Sequence, residues 1–384
     1  SDLVKDYRRN DVKVTEGVLN LILGNVTLPE LKDYKGKNKI QDRFDVIAET
    51  GMQCLNWSDV KIGEEWNKLN YMKREGVYDE KSIYPKKVVH PFGKRFKQYF
   101  PKTMAFETST LLNFTKNLGN TFVLAQKQEF PITIGSTTYT VAKGGLHSNE
   151  KNRTLKPPKG FLLRDADVGG QYPWFLIKNY IYPPHLKATM IDIARSNVDK
   201  RPILKEQAKL LKEQGREDEA RPLIGLQEML KLCNNGGLFG KLGQKGSFLQ
   251  YPSGLLMVCL GCEIEILMLI EMMEKAGFQV VSGNTDGIVT LFPEDKEEEY
   301  KAICQKWEQM VGNTKTGKLE YADFESLHQD SINSYIGKKK GGGVKKKGRF
   351  MTEFELNKNK SKRVIPLALE AYFIEGKDPI EFIR

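Results

Sequence analysis

The clearest hydrophobic pattern lies over residues 280–291. Two apolar, β-branched runs there flank a polar tip of Asn284, Thr285, Asp286 and Gly287. The pattern predicts a buried β-hairpin, with Asp-Gly supplying the positive φ of a tight turn. Upstream, the apolar run 255–273 is broken only by Glu263, Glu265 and Glu271 and predicts a buried core helix rather than a membrane span. A further strand, from Gly160, carries Asp165 and Asp167 on one face and ends at Gly169-Gly170 and a Tyr172-Pro173 helix start. Residues 202–234 predict a helical hairpin, with Pro202 at a first helical position, Gly215 ending the first helix and a second helix from about Pro222. Strand-like residues 137–141 lead into Gly144-Gly145, where missing side chains would let another backbone come close. Beyond the hairpin come an acidic helix around 294–310 and a strand pair at 329–336 and 348–355. A helical stretch at 361–376 follows, weakened by Pro366. Residues 2–24 have helical spacing, with Tyr7 and Asp11 on one face. Residues 25–135 show little periodicity.

These elements carry chemistry. A carboxylate at the tip of a buried hairpin is costly unless it is paired or binds a metal, so Asp286 needs a partner. Two carboxylates on a core strand have the same need, which makes Asp167 the candidate. Arg201, Lys205, Lys209 and Lys212 form a basic helical stripe; Glu206 and Glu213 flank it, so it reads either as ligand-facing or as an ion-paired solvent face. Basic and aromatic residues alternate from Lys94 to Phe100. That suits a strand or groove touching nucleic acid, and also a half-buried amphipathic element.

With 384 residues the chain can form two or more compact units. Sixty Lys and Arg against 49 Asp and Glu leave a net charge of +11, which favours a polyanionic partner. The lysine runs 338–340 and 345–347 are separated by Gly341, Gly342 and Gly343. Five scattered cysteines suggest reduced thiols and a cytoplasmic setting, a host cytoplasm if the source is viral. Cys259-x-x-Cys262 lacks a second ligand pair and sits in an apolar helix, so it reads as core packing rather than zinc. The chain opens Ser-Asp-Leu without Met and stops without a helix-stop signal, so a piece of a longer protein is expected.

Taken in order, these motifs resemble the family B DNA polymerases, most closely their phage and plasmid branch. Asp167-Val-Gly-Gly-Gln-Tyr172-Pro173 is similar to the first palm motif, with Gly170 where Ser is usual. Lys231, Asn235, Gly236, Phe239 and Gly240 resemble the Lys-x-x-x-Asn-Ser-x-Tyr-Gly motif of the fingers. One extra residue precedes the aromatic, so Asn234 competes with Asn235 for the motif position. Asn284-Thr285-Asp286-Gly287 resembles an Asp-Thr-Asp-Ser hairpin whose first Asp is Asn. Gly144-Gly145 looks like the Tyr-x-Gly-Gly element. Lys345-Lys-Lys347-Gly348 looks like the Lys-x-Lys-Gly strand near the primer end. Arg201 and Lys205 match the fingers Arg-x-x-x-Lys pair. Tyr7 and Asp11 match a remnant of the third 3′–5′ exonuclease motif.

The resemblance implies an α+β fold of polymerase right-hand architecture, with an antiparallel-sheet palm, helical-hairpin fingers and an incomplete thumb. Its implied divisions are 1–24, the last exonuclease helix; 25–150, a connecting region; 151–180 and 241–355, palm; 181–240, fingers; and 356–384, the start of a thumb. It implies template-directed addition of dNTPs to a primer 3′ end with two Mg²⁺ ions, Mn²⁺ being a possible substitute. Asp167 and Asp286 would be catalytic and, with Val168, would hold the metals. Tyr172, Arg201, Lys205, Lys231 and Asn235 would bind nucleotide, and Gly144, Gly145, Lys345 and Lys347 would bind DNA. Asp165 could be a spare ligand, although a structural role is the favoured reading. Without the earlier exonuclease carboxylates this chain alone should not proofread. The alternative is a basic nucleic-acid-binding subunit, inactive until a second polypeptide supplies the exonuclease or thumb. Either way the expected partners are primer–template DNA and dNTPs, not a membrane. A reverse transcriptase or RNA polymerase palm fits less well, since those hairpins carry adjacent carboxylates and residue 287 is Gly.

Overall fold

The computed structural model describes residues 39–352 and 364–383, together with Lys13. The expected helix at 2–24, with Tyr7 and Asp11, lies outside these residues apart from Lys13, as do residues 356–363. The described chain is α+β and divides into two compact units.

The first unit contains residues 39–67 and 196–237. It is helical, built from α1 (Lys39–Thr50), the first half of α2 (Asp59–Glu75), and two helices described below. Val46, Met52, Ile62, Leu204, Met229, Leu230 and the thiols of Cys54 and Cys233 form its core. The weak periodicity of 25–135 therefore hides real helices. Gly63 inside α2 has a packing cause: a Cβ there would stand 2.9 Å from the Leu232 carbonyl.

The second unit, residues 68–195, 238–352 and 364–383 among those described, is organised on one antiparallel sheet. Helix α3 (Ser109–Asn120) precedes β1 (Glu129–Ile134), β2 (Thr137–Ala142), β3 (Gly145–Ser148) and β4 (Arg153–Leu155). Then come β5 (Phe161–Val168) and α4 (Gln171–Lys178), followed by α5 (Thr189–Glu213) and α6 (Glu217–Asn235), which run into the first unit. The chain returns through α7 (Pro252–Lys275), β6 (Gln279–Asn284), β7 (Gly287–Pro293) and α8 (Glu297–Val311). It continues with β8 (Leu319–Ser331), β9 (Ser334–Lys339), β10 (Val344–Lys347), α9 (Val364–Glu370), a π-helical turn at Ala371–Glu375 and α10 (Pro379–Ile383). The sheet order is β1-β2-β3-β6-β7-β5-β8-β9-β10, with β4 pairing on β8.

Period-two alternation gives the central strand two unlike faces. Leu162, Ala166 and Val168 of β5 join Val280, Ile288, Phe292 and Tyr300 in the core beneath α7 and α8. Leu163, Asp165 and Asp167 point to the other face, where only a small cluster with Val281, Val289, Phe324 and Leu327 covers the strand. On the helix side the Arg164 guanidinium is held by both oxygens of Asp323 (2.6 and 2.8 Å) and by Glu297 (2.8 Å).

Helix α7 alone among the described helices is long and apolar enough to cross a membrane, yet 89% of its most apolar stretch is buried within the fold. Three of its four glutamates are well bonded, Glu274 by accepting from the Val280 amide at 2.7 Å. Glu271 accepts from the Glu107 and Thr108 amides and the Thr108 hydroxyl, and Glu265 from Lys178 and Thr103. All five cysteines are buried and unpaired.

Several sequence expectations are corrected. Helix α5 starts at Thr189, so Pro202 is interior to it, and α6 starts at Glu217, ahead of Pro222. Both prolines are exposed, which leaves water to satisfy the carbonyl that each ring deprives of a donor. The pair expected at 329–336 and 348–355 is instead β8, β9 and β10, with residues 348–350 forming a 3₁₀ turn. The Lys/Gly loop joins β9 to β10, and its three glycines all have positive φ. Lys94 to Phe100 is a 3₁₀ turn rather than a strand; Phe96 and Tyr99 enter the core while Lys94 and Lys97 stay exposed.

Candidate active site

The hairpin over 280–291 exists as β6 and β7, but its tip works differently from the sequence expectation. Thr285 and Asp286 make the two-residue turn, and Gly287 is a strand residue without positive φ. Glycine is needed there for room. A Cβ on Gly287 would lie 2.4 Å from Asp167 Oδ1 and 2.7 Å from the Ala166 carbonyl oxygen. Register pairs Asp167 with Gly287, and the Val168 amide donates to the Asp286 carbonyl at 2.6 Å. Strand β5 and the hairpin tip thus bring Asp167 and Asp286 to one place.

Asp165 and Asp167, two positions apart on β5, both bind Lys345 Nζ, Asp167 at 2.5 Å. Asp165 is buried, and Asp167 keeps 41% of its side chain exposed. Burial, then the nearby Asp167 charge, push the Asp165 carboxyl up to about 6 against the opposing pull of Lys345. Asp286 is raised in the same way, by burial first and then by Asp167, with Lys347 and Lys345 opposing. Burial works against the Lys345 ammonium, but Asp165 and Asp167 outweigh it and hold its pKa above the ordinary lysine range. Asp165, Asp167 and Asn284 line a common pocket with Ser282, Tyr335 and Gln329.

Alternation along β10 sends Lys345 and Lys347 to the carboxylate face. Lys346 turns the other way, to Glu370 (2.8 Å) and Thr352 (2.6 Å). In the neighbouring run, Lys338 pairs with Glu325 and Lys340 with Glu294.

What approaches Gly145 is a side chain. Its φ is +152°, and a Cβ would stand 2.5 Å from Thr285 Oγ1, which accepts from the Leu146 amide at 2.8 Å. A Cβ on Gly144 would meet nothing within 4 Å. Thr285 also neighbours the hydroxyl of Tyr172, whose pKa is raised by burial. Gly170, in left-handed conformation, opens α4, and the Tyr172 ring stacks on Phe239 with centroids 4.3 Å apart.

Arg201, Lys205, Lys231 and Asn235 belong to the helical unit. Arg201 and Lys205 are four apart on α5, as are Lys231 and Asn235 on α6. Lys205, Lys231 and Asn235 are exposed. Asn234 is buried and accepts from Asn197, whose amide also donates to Asn67. That leaves Asn235 as the asparagine open to a ligand. The glycines after α6 admit protein: a Cβ on Gly237 would stand 2.3 Å from the Gly63 carbonyl carbon.

No protein-family model and no curated protein matches the sequence. A family B DNA polymerase is a structural neighbour. It comes from the hyperthermophilic archaeon Pyrobaculum calidifontis and is 17% identical, with a TM-score of 0.37 over 71% of this chain. The matched region spans 36% of that protein, about a third of its length. The functional reading rests on the geometry of the carboxylate site itself.

That site suits a hard divalent cation in its donors, which are carboxylate and carbonyl oxygens. Among the described residues no group of three or more His, Cys, Asp or Glu side chains gathers to hold an ion unaided. An ion here would draw its remaining oxygens from substrate and water, as Mg²⁺ commonly does. Lys345 is the residue that motif reading missed as part of the carboxylate cluster. Its i, i+2 relation to Lys347 marked the face, but nothing in the sequence marked its partner.

Proposed function

We propose that the chain is the core of a template-directed DNA polymerase that adds dNTPs to a primer 3′ end. The observation that carries this reading is the convergence of Asp167 and Asp286, from β5 and the β6–β7 tip, with Gly287 leaving the room for it. Asp167, Asp286 and the Val168 backbone carbonyl would hold two Mg²⁺ ions, which when bound activate the primer 3′-oxygen and stabilise the pyrophosphate leaving group.

The chain's own residues supply the rest. Tyr172, fixed against Phe239, presents a ring edge on which the deoxyribose would rest and a 2′-hydroxyl would clash. By the resemblance, Arg201, Lys205 and Lys231 of the helical unit would neutralise triphosphate charge, and Asn235 would add a polar contact. Lys347, on the carboxylate face of β10, meets DNA phosphate. In this reading the sheet unit is the palm, α5 and α6 are the fingers helices, and residues 364–383 begin a thumb.

The test is primer extension at low salt with Mg²⁺ or Mn²⁺, offering one dNTP at a time. Addition only of the nucleotide complementary to the template base is expected. Incorporation that ignores the template, or none under any condition, would overturn the proposal.

A further inference from the structure

Lys345 is the only cation hydrogen-bonded to the Asp165–Asp167 pair among the described residues, and it bridges both carboxylates with one ammonium. The fold goes to some length to put it there. Strand β10 reaches the site through a loop whose three glycines, Gly341, Gly342 and Gly343, all take positive φ. Register sets Lys345 opposite Gly337, where a Cβ would strike the Phe324 ring at 2.5 Å, so β9 can lie flat against β8 only with glycine there. Asp165 is buried, is aimed at the same ammonium, and has no ligand role in the proposed chemistry. An ammonium bonded to a metal-ligand carboxylate occupies lone pairs that an ion would need, and its charge repels a second cation.

We propose that Asp165 and Lys345 form an internal counter-ion latch on Asp167, which divalent metal must displace and which DNA phosphate releases by drawing the ammonium away. The latch rests on the polymerase reading of the site. Asp165 and Lys345 are positioning residues: Asp165 anchors the ammonium, and Lys345 keeps the carboxylates together and neutralised until substrate arrives. The resemblance assigns Lys345 to DNA, and the structure has it on carboxylates. These are two stations of one flexible side chain.

The test is Mn²⁺ binding to the folded protein without DNA or nucleotide, read as loss of the free-ion electron paramagnetic resonance signal. Lys345→Met should bind Mn²⁺ about tenfold more tightly than the wild type, the effect of removing one adjacent charge. Primer–template DNA should tighten the wild type and leave the variant little changed. Asp165→Asn/Lys345→Met, which leaves no orphaned buried carboxylate, should behave as Lys345→Met does, and circular dichroism checks both folds. Equal or weaker Mn²⁺ binding by both Lys345 variants, with Asp167→Asn still abolishing it, would overturn the latch and leave the metal site standing. Mn²⁺ binding indifferent to Asp167→Asn in every background, or absent from every protein, would overturn the metal reading and the latch with it.

Discussion

Glu263 lies in the middle of α7, fully buried, with its carboxyl oxygens outside hydrogen-bonding geometry and only partial relief from the Ala142 amide. Burial raises its pKa well above the ordinary glutamate value. The folded protein therefore keeps the proton while the unfolded chain releases it, and stability falls as pH rises through that interval. The cost grows by about 1.4 kcal/mol per pH unit above the unfolded value. Glu263→Gln removes it, so the variant should melt higher than the wild type at pH 7–8, with the gap closing toward pH 5. Parallel melting curves across that range would contradict the assignment. Tyr172 makes a second residue-scale prediction: Tyr172→Ala should admit ribonucleotides in single-nucleotide incorporation, and unchanged sugar discrimination would count against its steric role. At this scale Asp167 and Asp286 were legible because an apolar strand cannot bury a carboxylate without compensation. Lys345 was not, since a lysine in a Lys/Gly-rich stretch reads as solvated until the register of β10 is known.

The β6–β7 hairpin is the element on which the site depends, and its fit against β5 hangs on one missing side chain. Gly287→Ala would place a methyl against Asp167 and the Ala166 carbonyl, both inside van der Waals distance. Overpacking of this kind costs roughly 1–3 kcal/mol. A lower urea midpoint and a displaced Asp167, read as weakened Mn²⁺ binding, are expected together; a variant as stable and as metal-competent as the wild type would refute the close fit. The hairpin was readable because β-branched residues flank a short polar tip. Its glycine was misread, since Asp-Gly signals a turn equally when glycine serves conformation and when it serves contact. Prolines misled in a similar way. Pro202 and Pro222 marked helix starts by rule, but at exposed positions a helix tolerates the lost hydrogen bond.

On the scale of the whole molecule, strands and helices were both legible along the chain and the resemblance implied the α+β class, but the make-up of the helical unit was not legible. The helical unit is assembled from 39–67 and 196–237, and its core joins Ile62 to Met229 across more than 160 positions, which no local pattern can announce. The thiols report on both cores. Burial raises all five cysteines, Cys304 to about 11 and Cys259 to about 12. At pH 8 the native protein should resist thiol-alkylating reagents and react at all five sites after urea denaturation; rapid native labelling would contradict either core. The central claim, that Asp167 and Asp286 act as one catalytic centre, is tested most directly by primer extension with Asp167→Ala and Asp286→Asn. Nucleotide incorporation should be abolished by each while circular dichroism and melting temperature stay close to wild type. Measurable extension by either purified variant would contradict it.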